Sequence, residues 1–210
     1  EGKITCVYEE GYITIKKGDW KIRIEKVNLI PITMEGKAKF MIANSLAAAL
    51  ACYLYGFGIE DIAMAMRTFI PSAQLTPGRL NIFKFKNFKV MIDFAHNPAG
   101  YLAIEDYLKS VEATRKIGII SGVGDRRDVD IKECGAIAAR MFDHIIIRSE
   151  KHLRGRTEDE INGLIMEGIN SIENPPTYEV VPKEIEALKH AINIAQEGNF
   201  ITALSDVVNN

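Results

Sequence analysis

From residue 79 onward, short apolar runs alternate with amphipathic helical segments, and this alternation is the most restrictive feature of the chain. Strands that alternate with helices favour right-handed crossovers and a mostly parallel sheet covered on both faces. We therefore predict an α/β fold whose antiparallel edge is a hairpin of residues 81–86 with residues 89–92. The other strands are predicted at Lys89–Asp93, Lys116–Ser121, His144–Arg148, Thr177–Val181 and Asn199–Leu204.

Four helices are predicted between these strands, because apolar residues recur there at helical spacing. The residues of each set share one face, which should cover the sheet. The sets are Tyr101, Ile104, Leu108 and Val111; Ile131, Cys134, Ala138 and Met141; Ile161, Leu164, Ile165 and Ile169; and Ile185, Leu188 and Ile192.

Residues 1–75 follow a different pattern. Short β-runs over residues 3–8, 12–16 and 20–25 precede two helices, predicted at 39–55 and 59–68. This part shows no obvious core of its own, so we interpret it as the tail of a larger domain. The segment from Pro71 to Gly78 indicates a linker, and the second domain is predicted over 76–210. Both ends look cut, since the chain starts inside a strand pattern and stops at 205–210, where a helix should begin.

Composition excludes several classes of protein. The net charge of -2 gives no electrostatic case for nucleic acid or a membrane surface as partner. No apolar stretch reaches the roughly 18–20 residues of a spanning helix, and the residues before Cys6 do not resemble a signal peptide. Cys6, Cys52 and Cys134 are far apart in apolar surroundings, which predicts buried thiols in a reducing cytoplasm. They form no CxxC pair, and we predict no metal site.

The stretch Asp93-Phe94-Ala95-His96-Asn97-Pro98 directly follows an apolar run and leads into a helix. It places polar side chains at the carboxyl end of a predicted strand, which is where open α/β sheets bind ligands. A polar turn in which Asn97-Pro98 opens the helix is the alternative interpretation.

Five stretches occur in an order that resembles the Mur ligase superfamily of ATP-dependent amide-forming ligases. Within it, the pattern is most similar to the ligase module of the cyanophycin synthetases. The family helix often begins with His-Asn, whereas this chain has Ala38-Lys39-Phe40 there. The stretches are Asn44–Ala49, Pro77–Leu80, Asp93–Gly100, Ser121–Asp128, and Ile145–Arg148 with Leu153–Arg156.

The resemblance implies that residues 76–210 are the Rossmann-like C-terminal domain, truncated at its end. Residues 1–75 would be the incomplete C-terminal part of the central ATP-binding domain. Such ligases phosphorylate a carboxylate with ATP, and an amine then displaces phosphate from the acyl phosphate. In cyanophycin synthetase this step attaches arginine, through its α-amine, to the β-carboxylate of polyaspartate. The implied ligands are ATP, Mg²⁺, arginine and the acidic polymer.

The resemblance also implies a nucleotide site. Arg79 would reach the phosphates, which suits a forked, permanently charged guanidinium. Asp93 would accept hydrogen bonds from the ribose hydroxyls, and His96 and Asn97 would lie beside the adenine. Asn97 fits a helix N-cap equally well.

Two further sets of residues are candidates for substrate binding. By resemblance, the loop that follows the strand at 116–121 faces the active site, although a solvated turn is an alternative. The residues after the strand at 144–148 form a cationic cluster that attracts an acidic polymer electrostatically, although a solvated basic loop is nearly as good an account. Glu150 and Glu158 are alternative ligands for the arginine side chain. The first set is Gly124, Asp125, Arg126, Arg127 and Asp128; the second is Arg148, Lys151, Arg154 and Arg156.

No phosphate-binding loop of the form GxxxxGK[ST] occurs in the chain. We therefore assign no catalytic residue to it, expect the Mg²⁺ ligands upstream, and predict that it has no ligase activity by itself. Two alternatives stay open: another Mur-type ligase, such as a peptidoglycan or folylpolyglutamate synthetase, and a non-catalytic nucleotide-binding or assembly module. A nicotinamide-binding domain is disfavoured, because no GxGxxG follows the first strand of the sheet. The oligomeric state is open, with a homo-oligomer as one option.

Overall fold

A computed structural model describes residues 3–150 and 153–205 of the chain. It divides into two compact units, and the division falls between Pro71 and Ser72. That the first unit is the end of a central ATP-binding domain stays a prediction.

The first unit begins with a three-stranded antiparallel sheet in the order β1-β2-β3. The strands are β1 (Ile4–Glu9), β2 (Tyr12–Lys17) and β3 (Trp20–Lys26), all close to the predicted runs. The Glu10-Gly11 turn has positive φ at both positions, +52° and +82°, which lets two residues reverse the chain tightly.

Two helices pack on this sheet, α1 (Lys39–Tyr55) and α2 (Ile59–Thr68), with the predicted bounds. Gly56, at φ +102°, ends α1 and donates its N–H to the last carbonyls of the helix. The expectation that this part lacks a core of its own is wrong. Isoleucines of β2 and β3 pack against Ile42 of α1 and Ile62 of α2 in a buried cluster. The alternation of Ile13 with Ile15 and of Ile22 with Ile24 predicts one covered face on these strands, which the structure confirms; the sequence did not show that α1 and α2 would cover it.

The second unit is an α/β domain with a six-stranded sheet in the order β4-β5-β9-β6-β7-β8. Only β4 is antiparallel to its neighbour, so both the predicted fold class and the predicted hairpin are confirmed. The strands are β4 (Asn81–Lys84), β5 (Lys89–Asp93), β6 (Lys116–Ile120), β7 (His144–Ile147), β8 (Thr177–Val180) and β9 (Phe200–Leu204).

Four helices accompany this sheet, and three of them bury the predicted apolar faces, apart from Val111, which lies beyond the end of its helix. In the fourth helix, Leu188 and Ile192 pack against the core as predicted, whereas Ile185 is 69% exposed and Ala187 and Ala191 are fully buried. The small alanines let the helix approach closely, and the periodicity of large residues missed them. The helices are α3 (Pro98–Leu108), α4 (Asp128–Met141), α5 (Glu158–Asn170) and α6 (Glu184–Ile194).

The three cysteines are free thiols, but the prediction that all are buried is only partly right. Cys134 is buried, whereas Cys6 and Cys52 are partly exposed. None of the described helices is long and apolar enough to cross a membrane. The helix expected at the end of the chain falls on residues 206–210, which lie outside the described residues.

Candidate functional site

The carboxyl ends of β5, β6, β7 and β9 lie at one edge of the second unit's sheet, which we call the carboxyl edge. Since the strands run parallel, the segments after Asp93, Ile120, Ile147 and Leu204 all start there. Ligands of open α/β sheets bind at such an edge. Most of the predicted site residues therefore come to one side of the domain.

Asp93 is the last residue of β5, and its carboxylate accepts a hydrogen bond from the turn that carries Arg79. Its Oδ2 accepts the N–H of Leu80 at 3.0 Å, and its Oδ1 accepts the N–H of Ala95 at 2.9 Å. The residue is 5% exposed, and burial raises the pKa of its carboxyl although these backbone hydrogen bonds oppose the shift. The structure thus gives Asp93 a positioning role, and its contact with a ribose stays a prediction.

Arg79 is exposed on a turn of unusual backbone geometry. Gly78 and Leu80 on either side have φ of +65° and +47°, and the Gly78 N–H donates to Asn81 Oδ1 at 2.7 Å. The Arg79 guanidinium lies over the ring of Phe94, 5.0 Å from its centroid. This contact orients the guanidinium while leaving its N–H groups available to an anion.

Phe94 links Arg79 to His96. The Phe94 and His96 rings meet edge to face with centroids 5.1 Å apart, and His96 Nδ1 lies 2.8 Å from the Phe94 carbonyl oxygen. The three side chains form a row of planar groups along the carboxyl edge. The sequence had singled out Arg79 and His96 but gave no role to Phe94, since nothing local showed that its ring would lie between them.

Asn97 caps helix α3, with Oδ1 accepting the N–H of Gly100 at 2.8 Å. The N-cap interpretation is therefore confirmed. Whether its amide nitrogen also meets a nucleotide stays a prediction.

The loops after β6 and β7 are joined by charged contacts. Arg154 pairs with Asp125 at 2.8 Å, and Arg156 pairs with Asp128 at 2.7 Å. Arg156 Nη2 also donates to the carbonyl oxygen of Arg126 at 3.1 Å. Four of the predicted substrate residues thus bind one another, so an acidic polymer would compete with Asp125 and Asp128 for the arginines.

The remaining members of these two sets are placed differently. Arg127 pairs with Asp130 on the first turn of α4, and Arg126 Nε is buried without a hydrogen-bond partner among the described residues. Gly124 lies so close to the other loop that a Cβ there would be 2.1 Å from the Leu153 carbonyl oxygen. Lys151 lies outside the described residues.

A buried polar network connects three of the strand ends. Arg148 is 3% exposed and pairs with Glu150 at 2.5 Å. Glu150 in turn accepts the hydroxyl of Ser121 at 2.6 Å, and Arg148 Nη2 donates to Ser205 Oγ at 3.3 Å. Arg148 was predicted to contact the polymer, but in the structure its guanidinium is buried and pairs with Glu150 of the same domain.

A cavity of about 540 Å³ opens beside this network, between the β7 loop and the start of α6. Glu150, Glu158, Glu184 and Glu186 line it together with Arg148, Lys183 and Lys189. Arg148 is engaged by Glu150, and Lys183 pairs with Glu186 at 3.0 Å. Glu184 lies 4.0 Å from Arg148 Nε and accepts the Ser205 hydroxyl at 3.1 Å. Glu158 and Lys189 have no ion-pair partner among the described residues.

Ser149 adds a further polar group to this cavity. Its Oγ is buried and has no hydrogen-bond partner among the described residues. An orphaned hydroxyl of this kind favours a polar ligand or water in the cavity. No group of three or more His, Cys, Asp or Glu in residues 3–150 and 153–205 could hold a metal ion.

The mostly parallel six-stranded sheet makes the second unit a Rossmann-like α/β domain, with Arg79 and a charged cavity at its carboxyl edge. A family model described as "Mur ligase, glutamate ligase domain" matches residues 78–206, which is more than half of the chain. The chain belongs to the Mur ligase family.

The chain is also similar to full-length relatives in this family. It is 44% identical to cyanophycin synthetases of Geminocystis herdmanii and Synechocystis, over 98% of this chain. It spans 23% of the length of those two proteins. A UDP-N-acetylmuramoyl-L-alanyl-D-glutamate–2,6-diaminopimelate ligase from Geobacillus thermodenitrificans is 30% identical over 77% of this chain and 32% of its own length.

Solved structures share the fold at low sequence identity. Escherichia coli FolC in complex with ADP has a TM-score of 0.69 at 16% identity, covering 96% of this chain and 43% of its own. MurF from Acinetobacter baumannii has a TM-score of 0.61 at 16% identity, covering 97% of this chain and 41% of its own.

Proposed function

We propose that this chain is part of an ATP-dependent ligase that joins the α-amine of arginine to the β-carboxylate of polyaspartate. Supporting this proposal are the family membership and the relatives named cyanophycin synthetase, each 44% identical over nearly the whole chain. The observation that carries the assignment of arginine is the cavity beside Arg148, whose lining includes Glu158 and Glu184.

The proposed chemistry has two balanced steps. The acceptor carboxylate attacks the γ-phosphorus of ATP, so that an acyl phosphate forms and ADP leaves. The arginine amine then attacks the acyl carbon, the C–O bond to phosphate breaks, and phosphate leaves with that electron pair while the nitrogen loses a proton. Both steps develop negative charge on phosphate oxygens, which a positioned guanidinium stabilises.

In this proposal, Arg79 binds phosphate oxygens from its place on Phe94. Contact with the ring restricts the guanidinium, so less conformational entropy is lost when the anion binds. Asp93 acts through the Leu80 N–H to hold the turn in place. His96 and Asn97 border the nucleoside.

The cavity offers charges that complement free arginine. Glu158 and Glu184 suit a guanidinium, because carboxylates bind that group through paired hydrogen bonds. Lys189 suits the α-carboxylate. A volume of about 540 Å³ falls within the range of small-molecule sites.

We assign the phosphate-binding loop and the Mg²⁺ ligands to regions of the full-length protein outside this chain. The chain holds no phosphate-binding loop motif, and the described residues offer no group that fits Mg²⁺. We assign no step to a metal here and expect that the chain in isolation does not turn over ATP.

The test is ADP release by the full-length protein, with polyaspartate and arginine each added and omitted. Release that requires both supports the proposal. Glu184→Gln and Glu158→Gln should then raise KM for arginine with little change in kcat, because they remove ground-state contacts. Glu167→Gln, at a glutamate that pairs with Lys132, is the matched control.

A different Mur-type ligase is the second candidate, favoured by the diaminopimelate ligase that is 30% identical over 165 residues. Release with a muramyl peptide or folate acceptor, and none with polyaspartate and arginine, would select it. Nucleotide binding without release in the presence of any acceptor would instead favour a non-catalytic module.

A further inference from the structure

Asn81 connects the turn that carries Arg79 to the sheet of the second unit. It is the first residue of β4, is 6% exposed, and pairs with Ile92 of β5 in the strand register. Its Oδ1 accepts the Gly78 N–H at 2.7 Å, and its Nδ2 donates to the Thr76 carbonyl oxygen at 3.0 Å. A single buried side chain therefore holds two peptide groups of the turn.

The backbone of this turn is closed tightly but is strained where it joins β4. The Arg79 N–H donates to the Thr76 carbonyl oxygen at 3.1 Å, and Pro77 followed by Gly78 at φ +65° is typical of a type II turn. Leu80, the next residue after Arg79, has φ +47°, which is unfavourable for a residue with a Cβ. Such a conformation persists only where surrounding contacts impose it, and it is characteristic of functional sites.

Two buried side chains of the sheet impose this conformation. Asp93 accepts the Leu80 N–H at 3.0 Å, and Asn81 holds the peptide groups that precede Arg79. The Asn81 amide nitrogen also lies 3.4 Å from the Arg79 carbonyl oxygen. Asparagine is disfavoured in strands, so its contacts with the turn, rather than strand propensity, account for this residue at the start of β4.

We propose that Asn81 is a positioning residue for Arg79, which it holds at the carboxyl edge in a geometry ready to bind the phosphate oxygens of ATP. This inference rests on the proposed function, in which Arg79 binds phosphate. A guanidinium whose backbone is already fixed loses less freedom when the anion arrives. Asn81 is buried and acts only through the turn.

Asn199 provides a matched control at the opposite edge of the sheet. It directly precedes β9 and is 4% exposed. Its Oδ1 accepts the N–H of Gln196, three residues earlier, at 2.9 Å, and its Nδ2 donates to Thr114 Oγ1 at 2.9 Å. Asn199→Ala therefore removes buried hydrogen bonds of the same kind as Asn81→Ala, but at the amino ends of the parallel strands.

The test measures ADP release by the full-length protein with ATP as the varied substrate. Asn81→Ala should lower kcat/KM for ATP by roughly ten- to a hundredfold, because a small displacement of a positioned group is costly for rate. It should leave KM for arginine unchanged. Asn199→Ala should lower the Tm as Asn81→Ala does and leave both kinetic parameters unchanged. Equal kinetic losses in the two variants would overturn the proposal, because they would show a purely structural effect.

A double-mutant cycle with Arg79 tests whether Asn81 acts through that residue. Adding Asn81→Ala to Arg79→Ala should change kcat/KM for ATP by less than about twofold, since the group to be positioned is already absent. Losses that multiply would overturn the proposal. Where Asn81→Ala does not fold, Asn81→Asp takes its place, because it keeps the acceptor for the Gly78 N–H and loses only the amide donor.

Nucleotide binding gives a readout that does not depend on the acceptor. The affinity of the four proteins of the cycle for a fluorescent ATP analogue should follow the same pattern as kcat/KM. If polyaspartate and arginine support no ADP release, the proposed function fails, while this binding comparison still decides the role of Asn81. An affinity that Asn81→Ala leaves at the wild-type value would count against that role.

Discussion

Arg154 and Asp125 form an ion pair at 2.8 Å that links the loop after β7 to the loop after β6. Arg154 has φ +52° and is followed by Gly155 at φ +92°, so the turn places the guanidinium toward the neighbouring loop. Together with the Arg156–Asp128 pair, this contact makes the two loops at the carboxyl edge one packed body.

The Arg154–Asp125 pair should fix loop position more than it stabilises the domain. Its side chains are 55% and 42% exposed, so Arg154→Gln should lower the free energy of unfolding by less than about 1 kcal/mol. Hydrogen exchange at residues 122–128 should nevertheless become faster. The reversal Asp125→Arg/Arg154→Asp should restore slow exchange, and fast exchange in that double variant would argue against the pair as the cause.

Gly124 should tolerate no side chain. A Cβ there would lie 2.1 Å from the Leu153 carbonyl oxygen, so Gly124→Ala forces the two loops apart. Gly163 in α5 has no atom within 4 Å of its Cβ position. Gly163→Ala should therefore stabilise by up to about 1 kcal/mol through helix propensity. Urea unfolding of both variants tests this, and equal effects would contradict the close approach of the loops.

Arg148 and Glu150 should behave as a buried ion pair. Arg148→Met alone should lower the free energy of unfolding by about 3–5 kcal/mol, because it leaves the Glu150 carboxylate in the interior without its cation. Arg148→Met/Glu150→Leu should recover much of that loss. Chemical denaturation of the two variants and of an Arg154→Met control measures the difference. A double variant that is less stable than Arg148→Met would refute the coupling.

Asp93 should make the stability of the second unit depend on pH in an unusual direction. Burial raises the pKa of its carboxyl above the ordinary value of 3.8, so the folded state holds the proton more tightly than the unfolded state does. The contribution of Asp93 to the free energy of unfolding is therefore fully present below pH 3.8, and it is lost as the pH rises through the pKa of the folded state. The unfolding free energy of the wild type minus that of Asp93→Asn should fall as the pH rises through this range, and it should then level off. A difference that rises with pH would show that the carboxylate is favoured when charged.

Cys6 and Cys134 should resist alkylation in the folded protein. Burial raises the pKa of Cys6 to about 11 and that of Cys134 to about 12, so little thiolate is present near neutral pH. Since the thiolate is the nucleophile, iodoacetamide should react at least about a hundredfold more slowly than in the urea-unfolded chain. Peptide mass spectrometry resolves each site, and rapid native labelling of Cys134 would contradict its burial in α4.

The sequence predicted the elements of the second unit well because its periodicity is strong. Strand β5 has the predicted bounds, and the buried faces of α3, α4 and α5 follow the apolar spacing. In helix α6, Leu188 and Ile192 pack against the core as predicted, but Ile185 is exposed. The fully buried Ala187 and Ala191 were missed because alanine is too small to mark a buried face. In the first unit, the alternation of Ile13 and Ile15 predicts a covered face, but nothing local shows that the two helices would complete a core there.

The sequence indicates which charged residues lie in the loops of the candidate site, but it does not indicate which of them pair with one another. The charges of both loops are visible in the sequence, yet nothing local shows that Arg154 would meet Asp125 rather than solvent. The role of Phe94 depends on a ring contact between residues fifteen positions apart in the chain. Contacts of this kind follow from the strand order, which local periodicity does not encode.

The position of β9 has a consequence for how the protein is made. Strands β5 and β6 do not pair with each other; each pairs with β9, which supplies the middle of the sheet. During vectorial synthesis the ribosome therefore releases two separate half-sheets, with open edges at Val90 and Ile117, long before Phe200–Leu204 emerges to join them. Unpaired edges of this kind are templates for association with other chains. The nascent polypeptide is thus most vulnerable to aggregation until its last described strand is translated, and a chaperone that covers β5 and β6 would act in that interval.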